Sequence, residues 1–130
     1  MSVTITLLYA ALLGIVGFIL QCLVGPLRGR HNVSLDHGGH KDLNEAIRRH
    51  GNWAENVPYI LLMMALIEIN GASKGWLHAL GLLLLASRMI HPMGMDANRM
   101  AHPLRIVGMA GTVFSTVGVI GTALYQVFVR

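Results

Sequence analysis

The sequence predicts an all-α, polytopic membrane protein folded as one four-transmembrane-helix bundle, and three observations carry that prediction. Charged residues make up 12% of the 130 and hydrophobic ones 54%, against roughly a quarter charged in an ordinary soluble domain. No Asp, Glu, Lys, Arg or His stands between Met1 and Leu27, or between Ile106 and Val129. Each run exceeds the ~20 apolar residues that carry a helix across about 30 Å of hydrocarbon. The apolar runs do not alternate with polar residues, and an open sheet in lipid would leave backbone groups unsatisfied. These features exclude a soluble enzyme, a disordered tail and a disulfide scaffold. The single Cys22 has no partner for a bridge and reads as a small buried hydrophobe.

The first helix is expected over about residues 3–27. It lacks a basic n-region and outruns the ~7 to 15 residues of a signal-peptide core, so it reads as a retained span. The second is expected over about 43–69. It is wholly apolar only from Val57 to Leu66, but Leu43, Ala46, Ile47, Trp53 and Ala54 extend it backwards at helical spacing, and Pro58 marks a place to bend. The third, about 75–95, is long enough to span yet carries His78, Arg88 and His91, and an intramembrane charge needs a reason. The fourth, about 104–129, starts behind Pro103, while Asn70-Gly71 ends the second. Gly14, Gly17, Gly108, Gly111, Gly118 and Gly121 recur at helical spacing and let helix backbones approach closely. Residues 1–130 form a single domain with little interior, so self-association is expected.

Basic residues in short loops set the orientation. Arg28, Arg30, Lys41, Arg48, Arg49, Arg88, Arg99 and Arg105, eight of the ten Lys and Arg residues, fall in or beside the loops between helices one and two and between three and four. Only Lys74 and Arg130 lie opposite. Both termini are therefore expected outside, with the basic face in the cytoplasm. No nucleic-acid partner is expected.

Arg48, Asn52 and Glu55 are spaced i, i+4, i+7, and Arg88, His91 and Met95 i, i+3, i+7, so each set shares a helix face. Facing each other, they would form a pocket for an anion. Such a pocket suits a ligand with two carboxylates, one ammonium and a thiol: arginine binds carboxylates through a fork of donors, and a further arginine favours a thiolate. Blander readings compete. Arginines at this level satisfy the positive-inside bias and meet anionic lipid, as Arg49 and Arg99 are expected to do. Glu55 and Arg48 would then form a structural network, and Glu68 a solvated helix end. His31, His37 and His40 resemble a flexible chelating segment, but no second pair of ligands at fixed spacing supports a metal site, and none is expected. His78 and His102 read as interfacial or capping residues, and Trp53, Trp76 and Tyr59 as an aromatic belt.

The stretch Arg48-Arg49-His50-Gly51-Asn52-Trp53-Ala54-Glu55-Asn56-Val57-Pro58 resembles the second-helix motif of the MAPEG family, the membrane-associated proteins of eicosanoid and glutathione metabolism. Arg88-Met89-Ile90-His91 and Pro103-Leu104-Arg105 resemble the third-helix and fourth-helix motifs of its prostaglandin E synthase branch. The wording is most similar to small bacterial members, which points to a bacterial inner membrane. The resemblance implies a homotrimer with glutathione sites between neighbouring subunits, open toward the cytoplasm. It implies that Arg48 and Asn52 hold carboxylate and backbone groups of glutathione, that Glu55 meets its amino group, and that Arg28 or Arg30 reaches the glycyl carboxylate with His50 nearby. Arg88 and His91 would line the pocket, and Arg105 matches the arginine proposed to stabilise the thiolate. Met95, Ile106 and Asn56 replace hydroxyl-bearing residues of the eicosanoid enzymes, which points away from those reactions. What remains is a glutathione transferase or glutathione-dependent peroxidase, acting on a lipophilic electrophile or lipid hydroperoxide. The rival classes are a non-catalytic module that binds lipid headgroups or a partner protein, and a metal transporter built on the three histidines.

Overall fold

A computed structural model describes residues 2–129, so Arg130 lies outside the described residues. The chain forms α1 (Thr4–Cys22), α2 (Val24–His31), α3 (Lys41–Ile69), α4 (Lys74–Ile90), a single 3-10 turn (His91–Gly94) and α5 (Pro103–Phe128), with no named strand among the described residues. α1 and α2 are one bent rod: Leu23 between them keeps right-handed helical angles. The charge-free run predicts one unbroken helix to residue 27, and the structure divides it. Pro26 supplies the cause, because it has no N–H to offer the Cys22 carbonyl and its ring crowds that carbonyl. Pro58, by contrast, sits inside an uninterrupted α3. The third helix stops at Ile90 rather than near Met95, since Pro92 cannot donate to the Arg88 carbonyl and the chain tightens into the 3-10 turn.

The core is a column of apolar side chains through the middle of the bundle, formed by Tyr9, Leu13, Val57, Ile60, Met64, Leu77, Leu80, Leu84 and Val119. Glycines set the helix spacing at particular levels. A Cβ at Gly17 would fall 2.6 Å from the Trp53 ring, and one at Gly118 2.5 Å from Leu80, so these positions fix how closely α1 meets α3 and α5 meets α4. A Cβ at Gly14 or Gly121 would meet nothing within 4 Å, and these two take no part in the packing. Trp53 is thus a half-buried packing residue, and its indole N–H has no acceptor among the described residues. Cys22, expected to be buried, is exposed.

The outer faces of the first and last helices remain apolar, with Phe18 66% and Phe114 68% exposed. Two helices are long and apolar enough to cross a membrane, Thr4–His31 taken through its bend and Pro103–Phe128, and only 22% and 28% of their most apolar stretches are buried within the chain. Surface of that kind is unfavourable in water and stable against lipid or another protein. α4, at 17 residues, is shorter, and α3 is polar over its first half.

At the end of the bundle where the chain begins, Glu68 is not a solvated helix end. Its Oε1 accepts from the Ile5 N–H at 2.9 Å and its Oε2 from the Thr6 N–H at 2.7 Å. The carboxylate closes two unpaired donors in the first turn of α1, where the helix dipole favours negative charge. Nearby, the Tyr9 hydroxyl bonds the His78 carbonyl and ring at 3.1 Å. His102 caps α5: its Nδ1 accepts from the Leu104 N–H.

Candidate functional site

At the opposite end of the bundle, α3, the 3-10 turn, the loop 95–102 and α5 enclose a cleft of about 720 Å³. Its polar wall includes Arg48, Asn52, His91, Asp96 and Arg105, and its other wall includes Ile106, Met109, Val113 and Phe114 along α5. One side suits a charged ligand, the other an apolar one.

Arg88 ties the polar wall together. It is 2% exposed, and it donates through Nη1 to Asn52 Oδ1 at 2.8 Å and through Nη2 to the Gly108 carbonyl at 3.2 Å. A buried guanidinium is stable only with such partners. α3, α4 and α5 are thereby pinned at one level, just behind the cleft. Gly108 makes this possible, because its bare backbone lies against His91, where a Cβ would fall 2.6 Å from that residue's own Cβ. His91, 3% exposed, sits between Arg88 and Arg105 and still reaches the cleft wall.

Arg48 and Glu55 pair directly, Nη1 to Oε1 at 3.3 Å, although two helical turns separate them. Gly51 lies between them on the same face, and a Cβ there would be 3.5 Å from Arg48 Nη1 and 3.8 Å from Glu55 Oε1. Both distances are ordinary van der Waals contact, so the pair crosses this face with room for an alanine. Both partners are more than half exposed, so the pair orients Arg48 more than it stabilises the fold.

Arg105 differs from Arg48, the other arginine of the cleft wall. Among the described residues its guanidinium makes no hydrogen bond or ion pair, as is also true of Arg30 and Arg99 away from the cleft, while those of Arg28, Arg48, Arg49 and Arg88 are all engaged. The sequence-derived set therefore divides. Arg48, Asn52, His91 and Arg105 meet at the cleft, and Arg88 backs them. Glu55 and His50 do not line it. Arg28 donates to the Ser34 carbonyl at 3.1 Å and the Asp36 carbonyl at 2.9 Å, closing the turn after α2, and Arg30 lines a separate depression beside Leu27 and Arg49.

Sequence reasoning missed the strap over the cleft. Arg49, expected to face lipid, donates through Nη2 to Glu45 Oε2 at 3.1 Å and to the Met95 carbonyl at 2.7 Å. Glu45 Oε1 accepts from the Ala97 N–H at 2.9 Å, and Lys41 Nζ donates to Asn98 Oδ1 at 2.6 Å. The i, i+4 spacing of Glu45 and Arg49 signals an ion pair on α3; nothing local signals the loop they hold. The histidine loop is similarly tied down, with His31 Nε2 bonded to Asp42 at 2.9 Å and the His31 and His40 rings stacked at 3.9 Å. That hydrogen bond is the main reason the Asp42 carboxyl lies below its ordinary value.

Apolar outer helices around an arginine-lined cleft define a helical membrane protein with a polar site at one end. The chain belongs to the MAPEG family, whose pattern it matches over residues 6–125. It is similar to the "Inner membrane protein YecN" of Escherichia coli strain K12, at 36% identity over 90 residues that make up 69% of each chain. The protein of the same name from E. coli O6:H1 strain CFT073 is similar to the same extent. No solved structure matches the chain.

Proposed function

We propose that the protein is a membrane-bound glutathione transferase, with reduction of lipid hydroperoxides as a related activity of the same site. The observation that carries this reading is Arg105, a guanidinium in the cleft wall with no partner among the described residues, standing where a polar wall meets an apolar one. A cation so placed favours the anionic form of a thiol, whose free pKa of about 8.5 falls toward neutrality beside positive charge. Arg48 and Asn52 bind the carboxylate and backbone groups of the tripeptide, and His91 borders its thiol. The thiol proton passes to water, and the thiolate sulfur bonds to the electrophilic carbon of a lipophilic substrate held along Ile106, Met109 and Phe114. That carbon's bond to its leaving group breaks as the sulfur bond forms, and the leaving group departs as an anion with the electron pair. In the peroxide reaction, two thiols reduce the hydroperoxide to an alcohol and water and leave as the disulfide. Proximity and electrostatic stabilisation supply the rate.

The family resemblance of the motifs supports a four-span homotrimer in an inner membrane, termini outside and clefts toward the cytoplasm. The exposed apolar faces of α1 and α5 are consistent with lipid and neighbouring copies. Arg28, Arg30, His50 and Glu55, which lie outside the cleft of one chain, are in this reading available to a neighbour's ligand.

The test is titration of the detergent-purified protein with glutathione, followed by thiolate absorbance in the ultraviolet, with Arg105→Ala in parallel. A saturable signal that vanishes in the variant, while glutathione still binds, is the expected result. An equal signal in the variant moves activation to another residue. Absence of binding overturns the reading and leaves the basic face to lipid headgroups or a partner protein.

A further inference from the structure

We infer that residues 95–101 form a flap over the polar end of the cleft and that the Glu45–Arg49 pair is its latch, whose release sets how fast glutathione enters and leaves. The inference rests on the glutathione site proposed above. The base of the flap is closed. Gly94 lies against the backbone of Arg105, where a Cβ would fall 2.3 Å from the Arg105 nitrogen, and His102 caps α5 at the other end. The chain therefore leaves the bundle and rejoins it at one place, as in an Ω-loop. Between those ends no residue of 95–101 is buried, and Met100 is 87% exposed. No apolar anchor holds the flap down.

What holds it is a row of side chains on α3. Lys41, Glu45 and Arg49 are spaced i, i+4, i+8 and so share one face of the helix. Glu45 and Arg49 grip each other, and each takes one backbone group of the flap: Glu45 the Ala97 N–H at 2.9 Å, Arg49 the Met95 carbonyl at 2.7 Å. Lys41 adds its bond to Asn98 Oδ1. Within the flap, Asp96 accepts from the Asn98 N–H through Oδ1 and from the Arg99 N–H through its carbonyl, so the tip is a turn that keeps its shape as it moves. Met95, Asp96, Ala97 and Met100 line the cleft beside Arg48 and Arg105. The opposite wall continues into the exposed apolar face of α5, and a tripeptide with several charges does not reach the arginines through hydrocarbon. It approaches from water, past the flap. Opening breaks the latch bonds and leaves both the core and the base in place.

The experiment uses the detergent-purified wild-type protein, Glu45→Ala and Asn98→Asp. Glutathione association is followed by stopped-flow thiolate absorbance, and dissociation by a chase with S-methylglutathione, which has no thiol. Hydrogen exchange of the flap amides is measured without ligand. Glu45→Ala removes both acceptors at a helix position that suits alanine. Exchange should rise at Ala97 and its neighbours and stay unchanged in the cores of α3, α4 and α5. Association and dissociation should both quicken by about tenfold, the range of one charge-assisted hydrogen bond, with little change in affinity. A merely structural role for Glu45 would quicken dissociation alone. Asn98→Asp keeps the acceptor for Lys41 and adds a charge, so both rates should fall by about twofold, as for an exposed ion pair. Slower dissociation is not what a damaged cleft gives. Unchanged flap exchange in Glu45→Ala overturns the latch. Raised exchange with unchanged rates, dissociation quickened alone, or faster rates in Asn98→Asp overturn the gate, and each of these leaves the proposed function standing. A wild-type protein that binds no glutathione overturns the proposed function and this inference with it.

Discussion

Gly108→Ala tests the close approach on which the site is built. A Cβ at this position would fall 2.6 Å from His91 Cβ, 2.8 Å from His91 Cα and 2.9 Å from the Ser87 carbonyl. Ordinary contact begins at 3.4 Å, so α5 and the end of α4 must part by about 0.8 Å. Two of the three obstructing atoms are backbone and cannot turn aside as a side chain would. Overpacking costs about 1–3 kcal/mol, and backbone obstruction puts this site near the upper end. Alanine returns about 1 kcal/mol in helix propensity. The net expectation is destabilisation by about 2 kcal/mol. Gly121→Ala on the same helix is the control: nothing lies within 4 Å, so propensity alone should stabilise it by about 1 kcal/mol. Thermal unfolding in one detergent at one scan rate should separate the two variants clearly. A second readout belongs to the site, because Gly108 follows Arg105 by one helical turn and its carbonyl accepts from Arg88. Gly108→Ala should weaken the glutathione thiolate signal, and Gly121→Ala should not. If Gly108→Ala is as stable as Gly121→Ala, the reasoning about backbone contact between α4 and α5 is wrong.

Replacing Arg88 with Met leaves Asn52 Oδ1 without its donor behind the cleft, and loss of two charged hydrogen bonds should lower stability by about 3 kcal/mol, read as a lower unfolding midpoint in detergent. Glu68→Gln keeps one carbonyl acceptor for two N–H groups and should cost about 1 kcal/mol, with faster hydrogen exchange at Ile5 and Thr6 and no change at the cleft. The Asp42 carboxyl is lowered from 3.8, chiefly by its hydrogen bond to His31, so its contribution to stability is present above 3.8 and is lost as pH falls through the depressed folded value. Loop amides around residues 33–40 should therefore keep their Asp42-dependent protection at pH 5 and lose it in stronger acid, and Asp42→Asn should remove that dependence.

Much of this architecture is legible in the sequence because helical periodicity and charge-free runs are local properties. The fourth helix is expected over 104–129 and runs Pro103–Phe128; the second is expected over 43–69 and runs Lys41–Ile69. The faces carrying Arg48, Asn52 and Glu55, and Arg88 and His91, are readable from spacing, and they do meet, through Arg88 and Asn52. What spacing cannot supply is the partner across a gap. Glu68 reads as solvated because the N–H groups it accepts from are 62 and 63 residues away. Arg49 reads as a lipid contact because the Met95 carbonyl that it holds lies in a loop 46 residues on. Pro26 is a different kind of omission: its missing N–H is visible in the sequence, and the bend at Leu23 follows from local chemistry alone.

The motif on α3 shows how one spacing supports two readings. Arg-x-x-x-Asn-x-x-Glu places three polar side chains in a row, whether they face a ligand or one another. The outer two pair with each other across the face that Gly51 occupies, Arg48 Nη1 to Glu55 Oε1 at 3.3 Å. Asn52, between them, turns instead to Arg88. With Glu55 paired to Arg48 and Asn52 bonded to Arg88, the cleft-lining guanidinium without a partner among the described residues is Arg105 on α5. α3 is then the scaffold that sets the cleft's geometry, while the unpartnered guanidinium of the cleft wall sits on α5. Thiolate formation at the site should accordingly be more sensitive to Arg105 than to Glu55, although Glu55 belongs to the motif by which the site is recognised in the sequence.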